Sequence, residues 1–154
     1  MIDEKDREIL ALLQKDGRAT YGEIGSSVGL AASSVHDRVR KMEARGVIVG
    51  FGPRLDPAKL GLGLTAFVSL LTNKSCSTVA SQLQGWPEIV EYHSVAGEEC
   101  ALLKVRVADT MGLENVLERL RAMPEVERTR STIVLRSRWE EGDHPTTQLY
   151  SEAV

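Results

Sequence analysis

Between residues 33 and 41 the sequence gathers seven polar side chains, Ser33, Ser34, His36, Asp37, Arg38, Arg40 and Lys41. The two interruptions are Val35 and Val39, and Met42 follows, so apolar residues recur at i, i+4 and i+7 as on one stripe of a helix. At about 100° per residue, the opposite side carries Ser33, Asp37, Arg40, Lys41 and Ala44, with Ser34 and His36 on its flanks. Short hydroxyls near the helix start permit close approach, and the cations beyond them reach bases or phosphates. That is the chemistry of a helix laid in the major groove of a DNA duplex. Arg38 lies nearer the inner flank, where a phosphate or a contact with another helix is expected instead of a base. Asp37 runs against the trend, because a carboxylate repels phosphates unless it accepts from a cytosine amine or orients a neighbouring arginine. The competing expectation is a plain three-helix bundle whose outer face is merely wet.

The charge distribution favours the first of these. The 154-residue chain has a formal net charge of −3, but residues 1–32 carry −2, residues 33–59 carry +3 and residues 60–154 carry −4. A short basic segment in an acidic chain implies a local anion-binding surface, not a basic coat. With 42% hydrophobic and 27% charged residues, the composition is that of a soluble globular protein. No apolar run approaches the roughly 18 to 20 residues that cross a bilayer. The acidic start, Met1-Ile2-Asp3-Glu4-Lys5-Asp6, lacks the apolar stretch of a signal peptide. A cytoplasmic protein with no membrane partner is expected. Cys76 and Cys100 lie far apart with no C-x-x-C spacing, and are expected to be two reduced thiols, not a disulfide framework or a zinc site.

The basic segment must be held by the elements before it. Asp3 caps a first helix with Ile9, Leu10 and Leu13 on one face, and Gly17 supplies a stop. Thr20 and Glu23 form a T-x-x-E capping box for a short second helix with Ile24 and Val28 inward. Gly29 then offers a left-handed turn and Leu30 a plug. The third helix runs from about Ala32 to Arg45, before Gly46. A short helix, a glycine turn and a longer helix with a polar outer face make a helix-turn-helix. Val47-Ile48-Val49-Gly50-Phe51 is β-branched and compact, and is expected to be a strand leading onward as a wing or hinge.

Beyond a turn-rich segment at 56–63 the period changes to two. Ala66, Val68 and Leu70 alternate with Thr65, Phe67, Ser69 and Leu71 in a strand apolar on both faces and therefore central. A helix with Val79 and Leu83 inward ends near Gly85, and residues 100–107 alternate strictly. A second helix shows Leu113, Val116, Leu117 and Leu120 at helical spacing. Trp86-Pro87-Glu88-Ile89 and Met123-Pro124-Glu125-Val126 echo each other, each closing a helix and opening a strand. Two β-α-β passages give the ferredoxin-like plan, an antiparallel sheet of four strands with both helices on one face. The bare face would present Phe67, Leu102 and Trp139, and pairing of two sheets is the natural remedy. The fold class is thus α+β: a winged helix-turn-helix at 1–50, a connecting strand and hinge at 51–63, a βαββαβ (RAM-type) domain at 64–138 and a tail at 139–154. The tail is expected to be a disordered terminus or, through Leu149 and Tyr150, an arm on a neighbouring subunit.

Taken together these landmarks resemble the Lrp/AsnC (feast/famine) transcription regulators. Ile2-Asp3, Asp6-Arg7-Glu8-Ile9-Leu10 and Leu13-Gln14-Lys15-Asp16-Gly17-Arg18 are similar to the family's opening. Val28-Gly29-Leu30, Val35, Arg38-Val39, Met42-Glu43 and Gly46-Val47-Ile48 are similar to its recognition-helix signature. Lys59-Leu60-Gly61, Pro87-Glu88-Ile89-Val90 and Thr129-Arg130-Ser131 match later landmarks, so the resemblance spans about residues 2–138. It implies a sequence-specific DNA-binding regulator of transcription that dimerises through the C-terminal domain, often forms octamers, and is tuned by a small molecule such as an amino acid. It places Ser33, Ser34, His36, Asp37, Arg38, Arg40 and Lys41 on the DNA-facing helix, and effector contacts at Ala96, Gly97, Glu98, Glu99, Cys100 and Ser131. A homodimer would meet double-stranded DNA at a degenerate palindrome.

Two departures stand out. Ala31 replaces the serine that usually caps the recognition helix, which costs about 1 kcal/mol unless Ser33 or Ser34 substitutes. Gly97-Glu98-Glu99-Cys100 stands where relatives often have a Gly-Asp-Tyr-Asp-like loop. A thiol cannot hold an α-ammonium group as a carboxylate does, so Glu98 or Glu99 would have to.

Other classes fare less well. His36, His93 and His144 are scattered, and no metal spacing, phosphate loop or nucleophile elbow is present, so no catalytic or metal residue and no cofactor is expected. Sirohaem decarboxylases share the two-domain plan and are the enzyme alternative, but would want an eroded helix-turn-helix. An effector-free regulator or a pure ligand-sensing module is the third class.

Overall fold

The computed structural model describes residues 2–138, so Trp139 and the tail expected at 139–154 lie outside the described residues. Two compact units form, one through Arg54 and one over Leu55–Ser137.

In the first unit three helices follow the capping signals. α1 (Glu4–Lys15) starts at Asp3, whose carboxylate accepts from the Asp6 amide while the Asp6 side chain accepts from the Asp3 amide. The expected glycine stop is not what ends it. Asp16 turns extended, its carboxylate accepts from the Arg18 amide at 2.9 Å, and Gly17 takes no left-handed conformation. An aspartate that bonds its own backbone two residues on needs no glycine to turn the chain. α2 (Tyr21–Val28) carries the expected Thr20–Glu23 box and ends at Gly29 with φ 71°. α3 (Ala32–Ala44) follows, and Ala31 gives it no side-chain cap. Ile9, Ile24, Val28, Val35, Val39 and Met42 form the core, with Leu10, Leu13 and Leu30 packed against it.

The strand expected over 47–51 is absent, and with it the wing within this chain. Val49 is 96% exposed and Phe51 about half so. β-branched residues favour an extended chain, but a strand exists only where a second one completes its ladder, and no segment of the described chain does so here. A short 3-10 turn at Ala58–Leu60 leads into the second unit.

That unit runs β1 (Leu64–Thr72), α4 (Cys76–Leu83), β2 (Ile89–Ser94), β3 (Ala101–Val107), α5 (Thr110–Arg121) and β4 (Val126–Ile133). The strand order is β2-β3-β1-β4, antiparallel throughout, with β1 in the middle as expected and β3 beside it. Ala66, Val68 and Leu70 of β1 and Ala101, Leu103, Val105 and Val107 of β3 pack under Val79, Leu83, Leu113, Val116 and Leu120 of the two helices. Phe67 and Leu102 lie half-buried on the other face, in register with Lys104 and Thr132, and with Ser69 and His93. Outside the core, Arg119 stacks its guanidinium 3.6 Å above the Trp86 ring and donates to Glu88 Oε1 at 2.8 Å, locking α5 to the segment that follows α4.

Candidate nucleic-acid interface

The α2–turn–α3 corner is built on close backbone approach. Gly29 supplies the left-handed turn, and the amides of Gly29 and Leu30 both donate to the Gly25 carbonyl. A Cβ on Gly25 would stand 2.4 Å from the carbonyl oxygen of Leu30, so only glycine lets the two helices meet at this depth. Gly25 was not among the residues singled out from the sequence. Its only sequence signal is a glycine inside a helix, which is unfavourable there unless packing requires it.

With Val35, Val39 and Met42 buried, the outer side of α3 is fixed. Ser33, Ser34, His36, Asp37, Arg40 and Lys41 are exposed, and Arg38 is half-buried. Arg40 and Lys41 form no ion pair among the described residues, so their charge is open to a ligand. His36 packs edge-on against the Tyr21 ring, centroids 5.5 Å apart, and its Nδ1 lies 3.5 Å from Asp37 Oδ1. Asp37 is thus drawn towards its own neighbour on the helix.

Arg38 takes the second of its two expected roles. Its Nη1 donates to Asp3 Oδ2 and to Asp6 Oδ1, both at 2.7 Å, which straps α3 to the capped start of α1. The Asp3 carboxyl is held below its ordinary 3.8 first by Arg38 and then by the Asp6 amide, and Glu23 is lowered by the Thr20 amide and hydroxyl. Both are carboxylates whose folded pKa falls below the unfolded one. Their stabilisation is therefore complete above the unfolded values and is lost as pH falls through the folded ones. Thermal melts of the helical signal should show the first unit weakening below about pH 4. Asp3→Asn, which keeps the cap but not the charge, should flatten that dependence, and an unchanged profile would assign it elsewhere.

The residues expected around an effector are only partly brought together. Gly97 turns the loop with φ 149°. Glu98 pairs with Arg128 and Glu99 with Arg130, the latter at 3.2 Å, so both acids lean on β4. Arg128 holds the Glu98 carboxyl below its usual range. Glu99 Oε1 is buried and, despite the nearby Arg130, receives no hydrogen bond. Cys100 sits at the loop's end, its amide bonded to the Leu70 carbonyl. Ser131 does not join this group. It pairs with Val68 in register and so faces the helix side, whereas Arg128 and Arg130 pair with Leu71 and Ser69 on the other. The 2.0 periodicity decides this only once the register is known. Ala96 is exposed beside Gly97.

Comparison with known proteins bears on both halves. Residues 2–43 match the AsnC-type helix-turn-helix domain and residues 65–143 the Lrp/AsnC ligand binding domain. The HTH-type transcriptional regulator LrpA of Mycobacterium tuberculosis is 39% identical over 145 residues, 93% of this chain and 96% of that protein. Among solved structures, a feast or famine regulatory protein from M. tuberculosis complexed with L-methionine superposes with a TM-score of 0.87 at 38% identity, covering 94% of this chain and 99% of that one. A transcriptional regulator from Neisseria meningitidis, also an L-Met complex, gives 0.86 at 27% identity over 97% and 99%.

Proposed function

The chain belongs to the Lrp/AsnC family of transcriptional regulators, and from that premise we propose how its surfaces divide the work. It is a DNA-binding regulator of transcription, and the enzyme alternative finds no support among relatives that are regulators. The observation that carries the finer reading is the outer side of α3, where Arg40 and Lys41 stand exposed beyond Ser33, Ser34 and His36 and without an ion pair among the described residues. Arg40 and Lys41 grip phosphates or base edges, the serines allow close approach, and Asp37 orients its neighbours. Arg38 acts on the DNA indirectly, by fixing α3 against α1.

The effector reading rests on Glu99. Its buried Oε1 receives no hydrogen bond and is met only by the Arg130 guanidinium at 3.2 Å, and an ammonium group would supply a donor. The relatives' L-methionine marks α-amino acids as the class to expect. Gly97 gives the backbone turn, Glu98 stays with Arg128, and Cys100 offers a thiol in place of a carboxylate. Ala96 lines the turn, and Ser131 reaches a ligand only from the helix side. An effector-free regulator would leave the Glu99 oxygen with the Arg130 ion pair alone.

The half-buried apolar residues Phe67 and Leu102 suit pairing of two sheets, which gives a homodimer with two reading helices and leaves octamers to further contacts. No helix among the described residues is long and apolar enough to cross a membrane, and a regulator of this family works where the chromosome is, in the cytoplasm.

One experiment addresses both surfaces. Duplexes selected by the full chain from a randomised pool should converge on a degenerate palindrome with half-sites about one turn apart. Binding to the winning duplex, repeated with each common amino acid, should shift with at least one of them. Failure to enrich any duplex would overturn the DNA reading, and a flat response to every amino acid would overturn the effector reading alone.

A further inference from the structure

Two thiols 24 residues apart in sequence meet at one end of the sheet. Cys76 opens α4, and its Sγ donates to the Cys100 carbonyl at 3.1 Å. The Cys100 Sγ lies 3.0 Å from the Thr72 hydroxyl, and the Cys76 sulfur thus sits against the residue that carries the second thiol.

Each is held in place by a separate frame. The Tyr92 hydroxyl donates to the Cys76 carbonyl at 2.9 Å, pinning the first turn of α4. The Cys100 amide donates to Leu70 and its carbonyl accepts from Val95, which fixes the base of the loop. Both cysteines are free and half-buried, so a small reagent can reach them.

We propose that Cys76 and Cys100 form a dithiol that hydrogen peroxide oxidises to an intramolecular disulfide, fastening the start of α4 to the base of the 95–100 loop. The chemistry needs neither DNA nor an effector. The Cys100 thiolate attacks one peroxide oxygen, the O–O bond breaks, and hydroxide leaves and takes up the proton that Cys100 had released, so one sulfenic acid and one water form. The Cys76 sulfur then attacks the Cys100 sulfur, the S–S bond forms, and the sulfenic oxygen departs with the Cys76 proton as a second water. Two sulfurs are oxidised by one electron each and one peroxide is reduced.

The electrostatics assign the first step to Cys100. Burial opposes its charge, but the neighbouring Thr72 and Cys76 side chains outweigh that and lower its pKa. The neighbouring Cys100 side chain and burial raise that of Cys76. A thiol at the ordinary value would be almost wholly protonated near neutral pH and react slowly.

The test uses the reduced full-length chain and one equivalent of hydrogen peroxide. Thiol titration should fall from two groups to none, the intact mass should drop by two hydrogens, and a non-reducing peptide map should join Cys76 to Cys100. Dithiothreitol should reverse all three. Cys76→Ser should accumulate a Cys100 sulfenic acid that dimedone traps, and Thr72→Val should slow thiol loss in the otherwise unaltered chain. Unreacted thiols, oxygen adducts without the link, or a link between two chains would each overturn the proposal, and the wild-type measurement alone suffices to show it.

Discussion

Replacing Arg40 and Lys41 together with alanine should weaken binding to duplex DNA by at least about tenfold while leaving the melting temperature unchanged. Loss of a base-reading arginine is worth roughly 1–3 kcal/mol, and loss of a phosphate-bound lysine lowers the dependence on salt by about one charge. A plot of log affinity against log salt should therefore become shallower by about two units at most. The fold is spared because both side chains are exposed and form no ion pair among the described residues, and alanine is the best helix former. Arg38→Ala should behave in the opposite way. Its partners are Asp3 and Asp6 of α1, the latter mostly buried, so its loss should lower thermal stability before it touches the salt slope. Anisotropy titrations at several salt concentrations separate the two. An unchanged slope for the double variant would remove this side of α3 as the DNA interface.

The second large effect is expected at Gly25. By helix propensity alone, Gly25→Ala should stabilise α2 by about 1 kcal/mol. Against this stands a Cβ 2.4 Å from the Leu30 carbonyl oxygen, with Leu30 C and Ala31 C at 3.4 and 3.5 Å. All three are backbone atoms, so no rotamer relieves the overlap and the α2–α3 corner must open. Overpacking of this kind costs roughly 1–3 kcal/mol and sometimes more. Steric cost wins, and it falls on the angle at which α3 is presented. Gly25→Ala should lose both thermal stability and DNA affinity. Gly22→Ala on the same short helix is the control, since its nearest neighbour is the Thr20 hydroxyl oxygen at an ordinary 3.9 Å. Circular-dichroism melts of the pair should move in opposite directions. Equal melts would show that the corner has slack.

These two positions mark what sequence patterns can and cannot carry. The side of α3 that bears Arg40 was legible because Val35, Val39 and Met42 repeat with helical spacing, and burial of one stripe dictates exposure of the other. The Thr20–Glu23 box and the Gly29 turn were legible because each is a local bonding pattern within a few residues. The βαββαβ order followed from alternation and from the two echoing Pro-Glu segments. Gly25 was not legible, because its role depends on a carbonyl supplied by the next helix. The Arg38 strap to Asp3 and Asp6 spans more than thirty residues and was left between two roles by periodicity alone. Ser131 was grouped with the 96–100 loop by the family resemblance, but the register with Val68 turns it to the other face. The 47–51 segment has strand-forming residues without a ladder partner in its own chain, and composition cannot supply one. Cys76 and Cys100 are separated by a helix and a strand, so only the folded sheet shows them side by side.

The cation stacked on Trp86 has a practical corollary for optical work on this protein. Residues 2–54 contain no tryptophan, and the chain has two in all, Trp86 and Trp139. Indole fluorescence of Trp139→Phe therefore comes from a single ring, sandwiched by a guanidinium and the sheet core. Its wavelength should redden when the β-sheet half unravels and stay silent when the helices at the amino end come apart, giving each half its own spectroscopic channel.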